Sequence, residues 1–526
     1  MADLKVFQNP IIPGFAPDPS VVRVGDTFFL VTSSFHVFPG LPIYASKDLQ
    51  KWVNIGHGIN RVDQLDLSGA RTRIETLEED HRLIATAGLL APTIRYYKGT
   101  FYIVCTNDSR KGAGFCQNFY IKTDDIWSSN WGNPVHFDFD GIDTSLFFDD
   151  DDRAYIQGSN YFDISGNQPA ATIKQFEIDI KTGKPLSETR EIWPGFSRIY
   201  TEGPHIYKKD GHYFLMVAEG GTFEHHMLSM ARSKNIWGPY ETYENNPILT
   251  ADGTNEYIQN TGHGEIFEDQ HGQHWAAVLA VRKDGEGRYP MGRETFLTPV
   301  SWPSGGWPQI AQPKLSFCFS GPQGNFSAES AFVNYHGLLD FVQIRTPNPF
   351  SYLFDPIETK VTIFPSRTDL TDDASMVSFL GLRQPGLFST ATTTLMALSG
   401  GAGKRVKAGL ALYYDSFRVV RIFVDFSASE IVWTAINKAT GLDKELRYSL
   451  DHSADSVDLK VSSRETFYEF SFRISDASEW KVTGRIDAKE VTFRDFTGPI
   501  FGIFGTASSN VTSDWGIEFR NFRAYN

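Results

Sequence analysis

The chain has 526 residues, 41% of them hydrophobic and 21% charged, which is ordinary globular composition and enough sequence for two or three domains. Its formal net charge of −14 at pH 7 argues against nucleic acid and anionic membrane surfaces as partners, since both attract a basic face. Aromatic residues make up 14% of the chain, which suits a β-rich fold and the stacking of sugar rings on apolar faces.

The chain starts with a polar segment, residues 1–8, that lacks the apolar core of a signal peptide. We expect a secreted protein in its mature form, with an intracellular protein as the alternative. No apolar run approaches the length of a membrane helix, so no membrane partner is expected.

A short motif at Asp18 introduces the repeating unit of the N-terminal half. Asp18 lies between Pro17 and Pro19, which restrict its backbone, and two strand-like runs joined by a Gly25-Asp26 turn follow. Similar hairpins recur at intervals of roughly 50 to 75 residues, a period typical of propeller blades. The five copies open at Asp18, Ala91, Asp143, Glu202 and His263. We therefore predict a five-bladed β-propeller in which the polar residues among these openings converge at one end of the central channel.

Three features between the hairpins have both an ordinary and a functional interpretation. Residues 57–90 are a long insertion with an acidic run at 75–80, which we interpret as a solvated loop or helical turn rather than a metal site. The aspartate run at 149–152 is interpreted as a hairpin turn rather than a calcium loop. For His225-His226 the structural and functional interpretations have equal weight.

The three cysteines, Cys105, Cys116 and Cys318, have neither a metal-ligand spacing nor the pattern of a disulfide framework. Cys105 lies in an apolar run and is expected to be a buried thiol. A Cys105–Cys116 bridge is the less favoured alternative.

The sequence changes character after Val300, where a stretch rich in Pro, Gly and Trp begins. Beyond it, short alternating strands without the hairpin motif predict a β-sandwich of the jelly-roll, concanavalin-like type. The predicted domains are a propeller over residues 1–312, a linker over residues 313–328 and a β-sandwich over residues 329–526.

Carboxylates open three of the five hairpins, at Asp18, Asp143 and Glu202. Glycoside hydrolysis needs one protonated and one ionised carboxyl group beside the scissile bond, and a third carboxylate raises the pKa of the acid because like charges disfavour ionisation. Each residue alone could cap a turn, but three at matching places of a repeat favour a catalytic site. A non-catalytic sugar-binding propeller is the alternative, although binding alone needs no third acid.

The segments around these residues, 16–20, 141–147 and 201–205, together resemble glycoside hydrolase family 43, and the resemblance extends over the whole chain. It implies a five-bladed propeller, a C-terminal β-sandwich and an inverting mechanism. It makes Asp18 the general base, Glu202 the general acid, and Asp143 the residue that tunes the pKa of Glu202.

The resemblance also implies further site residues. The segment Gly292-Arg293-Glu294-Thr295 resembles the one whose arginine hydrogen-bonds the innermost sugar, a role that suits a planar guanidinium. His263 resembles the axial histidine of the family, which is often near a calcium ion. We therefore expect Arg293, Phe35 and His263 to bind substrate and His263 to lie beside a structural calcium ion. No cofactor is expected to be required.

Two positions guide the choice of substrate. Where the related β-xylosidases carry Trp, this chain has Val37 and Leu90, which we expect to widen the pocket. Segments 35–42 and 88–95 instead resemble fungal arabinofuranosidases that act on doubly substituted arabinoxylan. The resemblance thus implies removal of α-1,3-linked L-arabinofuranose from arabinoxylan or its oligosaccharides. An exo-acting β-1,4-xylosidase acting on xylo-oligosaccharides is the alternative.

Overall fold

The computed structural model describes residues 5–78, 81–109, 116–161, 171–319, 338–373, 375–396, 398–401, 404–450, 455–474, 479–508 and 515–526. In these ranges the chain is almost entirely β-structure, arranged as a five-bladed β-propeller and a concanavalin-like β-sandwich. The predicted fold class is confirmed. No helix among these residues is long and apolar enough to span a membrane.

The propeller strands follow one another along the chain. Blade one and its flanking segments contain β1 (Lys5–Gln8), β2 (Ser20–Val24), β3 (Thr27–Val31), β4 (Val37–Phe38), β5 (Gly40–Ser46), β6 (Val53–Ile59), β7 (Thr72–Glu78) and β8 (His81–Thr86). Blade two contains β9 (Gly88–Tyr97), β10 (Thr100–Asp108), β11 (Cys116–Thr123), a 3₁₀ turn (Ile126–Ser128) and β12 (Val135–His136). Blade three contains β13 (Ile142–Phe148), β14 (Ala154–Tyr161), β15 (Ala171–Asp179), β16 (Lys184–Pro185) and β17 (Arg190–Trp193). Blade four contains β18 (Glu202–Lys209), β19 (His212–Glu219), β20 (Met227–Ser233), β21 (Glu241–Thr242) and β22 (Leu249–Thr250). Blade five contains β23 (Ile258–Glu268), β24 (His274–Arg282), β25 (Glu294–Ser301) and β26 (Gln309–Ile310).

Each blade is an antiparallel sheet whose first strand lies innermost. The inner strands β2, β9, β13, β18 and β23 contact one another in this order, and β23 contacts β2, so the blades close into a ring. β1 pairs with β27 (Ser316–Phe319), which ties the N-terminal arm to the end of the propeller. β27 lies inside the predicted linker. Residues 320–337 lie outside the described residues, so the predicted domain boundaries stay a prediction.

The sandwich consists of two antiparallel sheets. Its strands are β28 (Phe341–Ile344), β29 (Tyr352–Asp355), β30 (Lys360–Ile363), β31 (Ser378–Arg383), β32 (Thr390–Met396), β33 (Val406–Asp415), β34 (Arg418–Asp425), β35 (Glu430–Asn437), β36 (Leu442–Ser449), β37 (Ser456–Ser463), β38 (Phe467–Arg473), β39 (Lys481–Asp487), β40 (Ile500–Ala507) and β41 (Ile517–Tyr525), with a 3₁₀ turn (Pro349–Ser351) and the short helices α1 (Leu398–Gly401) and α2 (Ala488–Val491). One sheet has the order β36-β35-β34-β33-β40-β31-β28-β4, and the other has the order β29-β30-β41-β32-β37-β38-β39.

A single sandwich strand, β33, supplies side chains to two hydrophobic cores. Leu410 packs in the core between the two sheets. Ala411 and Tyr413 pack in a second core together with Phe35 and Val37 of the propeller. Successive side chains of a strand point to opposite faces. One face of β33 therefore packs between the two sandwich sheets, and the other face packs against the propeller.

The short strand β4 adds a propeller segment to the edge of a sandwich sheet. Val37 pairs with Ile344 and Phe38 pairs with Gln343, both in β28. Val37 is completely buried in the core that the two domains share. It therefore does not line an open pocket, and the expected widening of the pocket at this position is wrong.

The insertion between blades one and two also differs from the expectation. β7 and β8 pair as antiparallel strands, so this part of the insertion is not a solvated loop or helical turn. The backbone N–H of Ile84 donates to the carbonyl of Arg494 at 2.8 Å, and Ile84 forms a bridge with Asp495. The sandwich thus supplies a partner for a strand edge, which local sequence does not reveal. Glu79 and Asp80 of the acidic run lie outside the described residues.

Two other local predictions can be compared directly. The aspartate run is a turn, in which the Asp149 N–H donates to the Arg153 carbonyl at 2.9 Å and the Asp149 carboxylate accepts from the Tyr213 hydroxyl at 2.6 Å. Cys105 and Cys116 are free thiols, so the alternative disulfide between them does not form.

Candidate active site

Equivalent residues in four blades share an uncommon backbone conformation where the inner strands begin. Asp18, Ala91, Asp143 and Gly203 have φ values of 56°, 39°, 53° and 54°. Left-handed φ angles are rare for residues other than glycine and occur often at functional sites. The residue of blade four that is equivalent to Asp18 is therefore Gly203, and Glu202 lies one residue earlier than the repeat predicted. Glycine takes this conformation without steric cost.

Asp18 is buried among groups that stabilise its charge. The Ser33 hydroxyl donates to Oδ2 at 2.6 Å, and Nη1 of Arg293 donates to Oδ1 at 3.3 Å. Nδ1 of His263 lies 3.7 Å from Oδ1. Burial by itself raises the pKa of Asp18, but Arg293, His263 and Ser33 outweigh it and hold the pKa below its ordinary value. The carboxylate is therefore ionised, as a general base must be.

Asp143 lies in the same cluster with the opposite electrostatic balance. Its Oδ2 accepts a hydrogen bond from the backbone N–H of Gly203 at 3.1 Å and lies 3.9 Å from Nδ1 of His263. Burial raises its pKa most, and the charges of Glu202 and Asp18 raise it further, to well above the ordinary value. Since repulsion between two carboxylates is mutual, ionisation of Asp143 and ionisation of Glu202 oppose each other.

Glu202 begins β18 and is paired in the ladder with Ala218 of β19. Its side chain is partly exposed, whereas Asp18 and Asp143 are buried. Of the three predicted catalytic residues, Glu202 is thus the one most accessible to a molecule entering the channel.

His263 forms the centre of this cluster. Burial lowers its pKa, which the negative charge of Asp18 only partly opposes, so the ring is neutral. A Cβ atom at Gly203 would lie 2.8 Å from Cε1 of His263, so only glycine allows this approach of strand and ring. No cluster of three or more His, Cys, Asp or Glu among the described residues could hold a metal ion. The residues around His263 therefore do not by themselves form a calcium site, and the calcium ion remains an untested prediction.

Arg293 connects the cluster to the second domain. Besides Asp18, its Nη1 donates to the Thr222 hydroxyl at 3.1 Å, and its Nη2 donates to the carbonyl of Phe496 at 2.8 Å. The guanidinium carbon lies 5.3 Å from the ring centroids of both Phe35 and Phe496. Contact with two aromatic rings and several hydrogen bonds fixes the position of the guanidinium group.

Aromatic rings from both domains form one wall of the site. Phe35 stacks with Phe15 at 6.1 Å and with Phe496 at 5.8 Å, and Phe223 stacks with Phe496 at 6.4 Å. Phe35, predicted to bind substrate, is only 2% exposed because Phe15 and Phe496 cover it. The sandwich therefore contributes a side chain to the wall of the catalytic channel.

A buried hydrogen-bonded layer lies two to four residues further along the inner strands. Glu265 contacts Nη1 of Arg95 at 2.6 Å and accepts from the Ser20 hydroxyl at 2.5 Å. Nη2 of Arg95 lies 3.1 Å from Nδ1 of His205, and Nε of Arg95 donates to the Leu146 carbonyl at 2.9 Å. Each of the five blades supplies one group to this layer, which fixes the inner strands relative to one another.

The two adjacent histidines have different environments. His226 is buried, its Nδ1 lies 2.9 Å from the Asn260 carbonyl, and burial lowers its pKa to about 3. His225 is exposed and its Nδ1 lies 2.8 Å from Oδ2 of Asp252. His226 therefore packs neutral behind the cluster, close enough to Asp18 to influence its pKa.

Several residues of the site were not identified from sequence. Phe496 belongs to another domain and follows no motif, so no local signal points to it. Arg95 and Glu265 lie four and two residues after the openings of their hairpins, and period-2 alternation along the inner strands was the signal that could have found them.

Comparisons with known proteins agree with this geometry. The family model described as Glycosyl hydrolases family 43 matches residues 7–308, and the model described as Beta xylosidase C-terminal Concanavalin A-like domain matches residues 337–523. A non-reducing end α-L-arabinofuranosidase of Bacteroides ovatus is 30% identical, covering 98% of this chain and 95% of its own. A xylosidase/arabinosidase of Humicola insolens is 28% identical, covering 98% and 97%. The crystal structure of a xylan β-1,4-xylosidase from Bacillus halodurans superposes with a TM-score of 0.87 at 29% identity, covering 99% of this chain and 100% of the other.

Proposed function

Since the chain belongs to glycosyl hydrolases family 43, we propose that it is an inverting, exo-acting glycosidase that removes terminal pentose units from xylan-type glycans. The preferred reaction in this proposal is release of α-1,3-linked L-arabinofuranose from doubly substituted xylose of arabinoxylan.

One observation supports hydrolysis most directly: the cluster moves the pKa values of two neighbouring carboxyls in opposite directions. The pKa of Asp18 is lowered, while that of Asp143 is raised by burial and by the charges of Glu202 and Asp18. Environments that separate the pKa values of paired carboxyls are typical of acid and base assignments. Binding alone requires no such separation.

In the proposed mechanism Asp18 accepts a proton from the attacking water, and Glu202 donates a proton to the leaving glycosidic oxygen. Asp143 opposes the ionisation of Glu202 and so favours retention of the proton that Glu202 delivers. An inverting reaction requires roughly 6.5–9.5 Å between the two catalytic carboxyl groups, so that water fits between them and the sugar. Arg293 would hydrogen-bond the terminal sugar from the side of the aromatic wall.

The contacts of Phe496 with Arg293 and Phe35 support action at a chain end, because a ring at this position would close one side of the channel. The preference for arabinofuranose rests on Leu90, which is half-buried where related β-xylosidases carry Trp, and on similarity to the Bacteroides ovatus arabinofuranosidase. The buried position of Val37 gives no further support.

A β-1,4-xylosidase is the second candidate. It is favoured by the close superposition on the Bacillus halodurans enzyme and by the closed aromatic wall, which suits a narrow terminal subsite.

Product analysis by NMR distinguishes the two candidates. The wild type is incubated with wheat arabinoxylan and, separately, with 4-nitrophenyl β-xyloside. Release of arabinose with loss of the disubstituted-xylose signals alone supports the debranching activity. Release of xylose from the glycoside with the polymer intact supports the xylosidase. Glu202→Gln is the control. A hydrolase should lose turnover in this variant, whereas a sugar-binding protein would bind the glycan equally well in the wild type and the variant and would show no turnover in either.

A further inference from the structure

A second glutamate, Glu219 at the end of β19, is enclosed by the loop that precedes Glu202. Its Oε1 accepts from the N–H groups of Ser197 and Arg198, each at 2.9 Å, and its Oε2 accepts from the N–H of Phe196 at 3.0 Å. The Ser197 hydroxyl also donates to Oε1 at 2.9 Å. Glu219 is 1% exposed. Consecutive backbone N–H groups that converge in this way form an anion-binding nest, here occupied by a side chain of the protein.

The loop around this nest has a strained backbone. Gly195, Arg198 and Tyr200 have φ values of 92°, 61° and 47°. Two of the three are not glycine, and such conformations persist only where the surroundings impose them. A Cβ atom at Gly195 would lie 2.5 Å from Oε1 of Glu219, so the chain passes directly over the carboxylate.

The same loop ends at the predicted general acid. The Thr201 hydroxyl lies 3.3 Å from Oε1 of Glu219 and 3.0 Å from the Pro194 carbonyl, and the Thr201 carbonyl accepts from the Ser159 hydroxyl at 2.7 Å. Glu202 follows Thr201 and is paired with Ala218, the residue before Glu219. Glu219 thus fixes Glu202 from the preceding loop and from the neighbouring strand.

We propose that Glu219 is a positioning residue for the general acid. Its carboxylate holds residues 195–201 in a strained conformation, and this conformation directs the carboxyl group of Glu202 at the leaving oxygen. The inference rests on the proposed role of Glu202. The alternative to this proposal is a purely structural role, in which Glu219 would only stabilise the fold.

The dependence of rate on the leaving group separates the two roles. A poor leaving group needs the proton of the general acid, whereas an acidic phenol departs without it. If Glu202 is displaced, only the reaction with the poor leaving group should become slower. The experiment uses the pentose that the wild type releases and measures kcat/KM on two kinds of substrate. One is an unactivated oligosaccharide, and the other is a series of aryl glycosides whose phenols are increasingly acidic.

We expect Glu219→Gln to reduce kcat/KM on the oligosaccharide roughly 10- to 100-fold, the effect of a small displacement of a catalytic group. On the glycoside of the most acidic phenol we expect less than about a threefold loss, because that reaction does not use the proton. Glu202→Gln defines the full leaving-group effect in the same assay.

Asp269→Asn is the matched control. Asp269 is also buried and accepts from the N–H groups of His271 at 2.8 Å and Gln273 at 3.1 Å, but it lies in the turn between β23 and β24, beyond the end of the strand that carries His263. This variant should lose thermal stability without any change in leaving-group dependence.

Ser197→Ala removes one hydroxyl donor to Glu219 and serves as the test variant if Glu219→Gln does not fold. We expect its kcat/KM on the oligosaccharide to fall about 3- to 10-fold, with the same dependence on the leaving group. Equal losses on all leaving groups, or none, in the variant that folds would overturn the inference. If Glu202→Gln itself shows no leaving-group dependence, or the wild type hydrolyses no pentoside, the proposed function fails instead.

Discussion

At the scale of single residues, the site separates the charge states of carboxylates that lie in one buried cluster. Asp18 has Arg293, Ser33 and the ring of His263 around it, so the cost of burial is overcome. Asp143 has one backbone N–H and two carboxylate neighbours, so the cost of burial is increased. The difference comes from the partners of each carboxyl group and not from its depth.

The acidic limb of the pH profile should report the pKa of Asp18. Arg293 makes the largest contribution that lowers this pKa. Replacing Arg293 by Met should therefore raise the pKa of Asp18 and shift the acidic limb of kcat/KM to higher pH. The profile is measured on a 4-nitrophenyl pentoside between about pH 3 and pH 8.

Arg293→Lys is the matched control, because it keeps a positive charge while losing the planar donors. Its acidic limb should stay closer to that of the wild type, even where its KM rises. An unchanged limb in Arg293→Met would show that Asp18 does not control this part of the profile.

Asp143→Asn should abolish most activity while raising stability at neutral pH. A carboxyl group whose pKa is raised in the folded state contributes stability that is complete below its ordinary pKa of 3.8 and is lost as the pH rises through the folded-state pKa. Asparagine cannot ionise, so the variant does not lose stability as the pH rises. Its side chain can still accept the hydrogen bond from the Gly203 N–H, and it tolerates the left-handed backbone of residue 143. Thermal unfolding at pH 7 should show a Tm higher by about 1 °C for each kcal/mol gained, because the entropy of unfolding scales with the length of the cooperative unit.

The gain in Tm should shrink as the pH falls towards 3.8, where the wild-type carboxyl is also protonated. Asp63→Asn serves as the control, since the side chain of Asp63 is 78% exposed and its replacement should leave Tm unchanged. A lower Tm for Asp143→Asn at pH 7 would contradict the electrostatic account.

At the scale of elements, the connection between β39 and β40 completes the site. It places Phe496 beside Arg293 and stacked on Phe35. The backbone carbonyl of Arg494 in the same connection is bonded to the hairpin β7–β8, and Nε of Arg494 lies 3.2 Å from Oε2 of Glu224. These two contacts of Arg494, just before Phe496, therefore fix this connection against the propeller.

Phe496→Ala should weaken substrate binding more than it slows the chemical step. The backbone carbonyl that binds Arg293 remains, so the arginine keeps its position, but the ring that forms the wall is lost. We expect KM to rise about tenfold, as for loss of one stacking partner, with a smaller change in kcat. Phe350→Ala is the control, because Phe350 is 86% exposed and lies in the same domain. A fall in kcat with KM unchanged would show that the ring acts in the transition state instead.

At the scale of the whole molecule, the propeller and the sandwich share apolar and polar contacts. Phe15, Phe35 and Val37 pack in one core with sandwich residues. The Tyr414 hydroxyl donates to the Pro290 carbonyl at 2.7 Å, and Nε of Arg288 donates to Asp487 at 2.8 Å. The interface is thus built like a protein interior rather than like a surface contact between independent domains.

We expect the two parts to unfold together. Scanning calorimetry of the full chain should show one cooperative transition, because separation would expose the shared core. For the same reason, residues 1–319 expressed alone should aggregate and lack activity. Two resolved transitions, or a soluble and active propeller, would show that the shared core contributes little to stability.

Much of this arrangement follows from the sequence. Five hairpins with similar openings predicted the propeller, and the carboxylates at two of those openings, Asp18 and Asp143, lie beside His263. The fold prediction succeeded because a repeat places equivalent residues at equivalent points of a ring. The expectation for Val37 failed because its neighbours, such as Tyr413 and Phe504, are hundreds of residues away.

The sequence by itself determined the strand periodicity, the number of blades and the chemical nature of the groups that line the channel, because these depend on local patterns. The tertiary structure decided which charge states those groups adopt, that Phe496 covers Arg293, and that Glu219 anchors the loop before Glu202. These properties depend on burial and on contacts between distant segments, and the free energy of a buried charge is set by what surrounds it and not by its position in the chain.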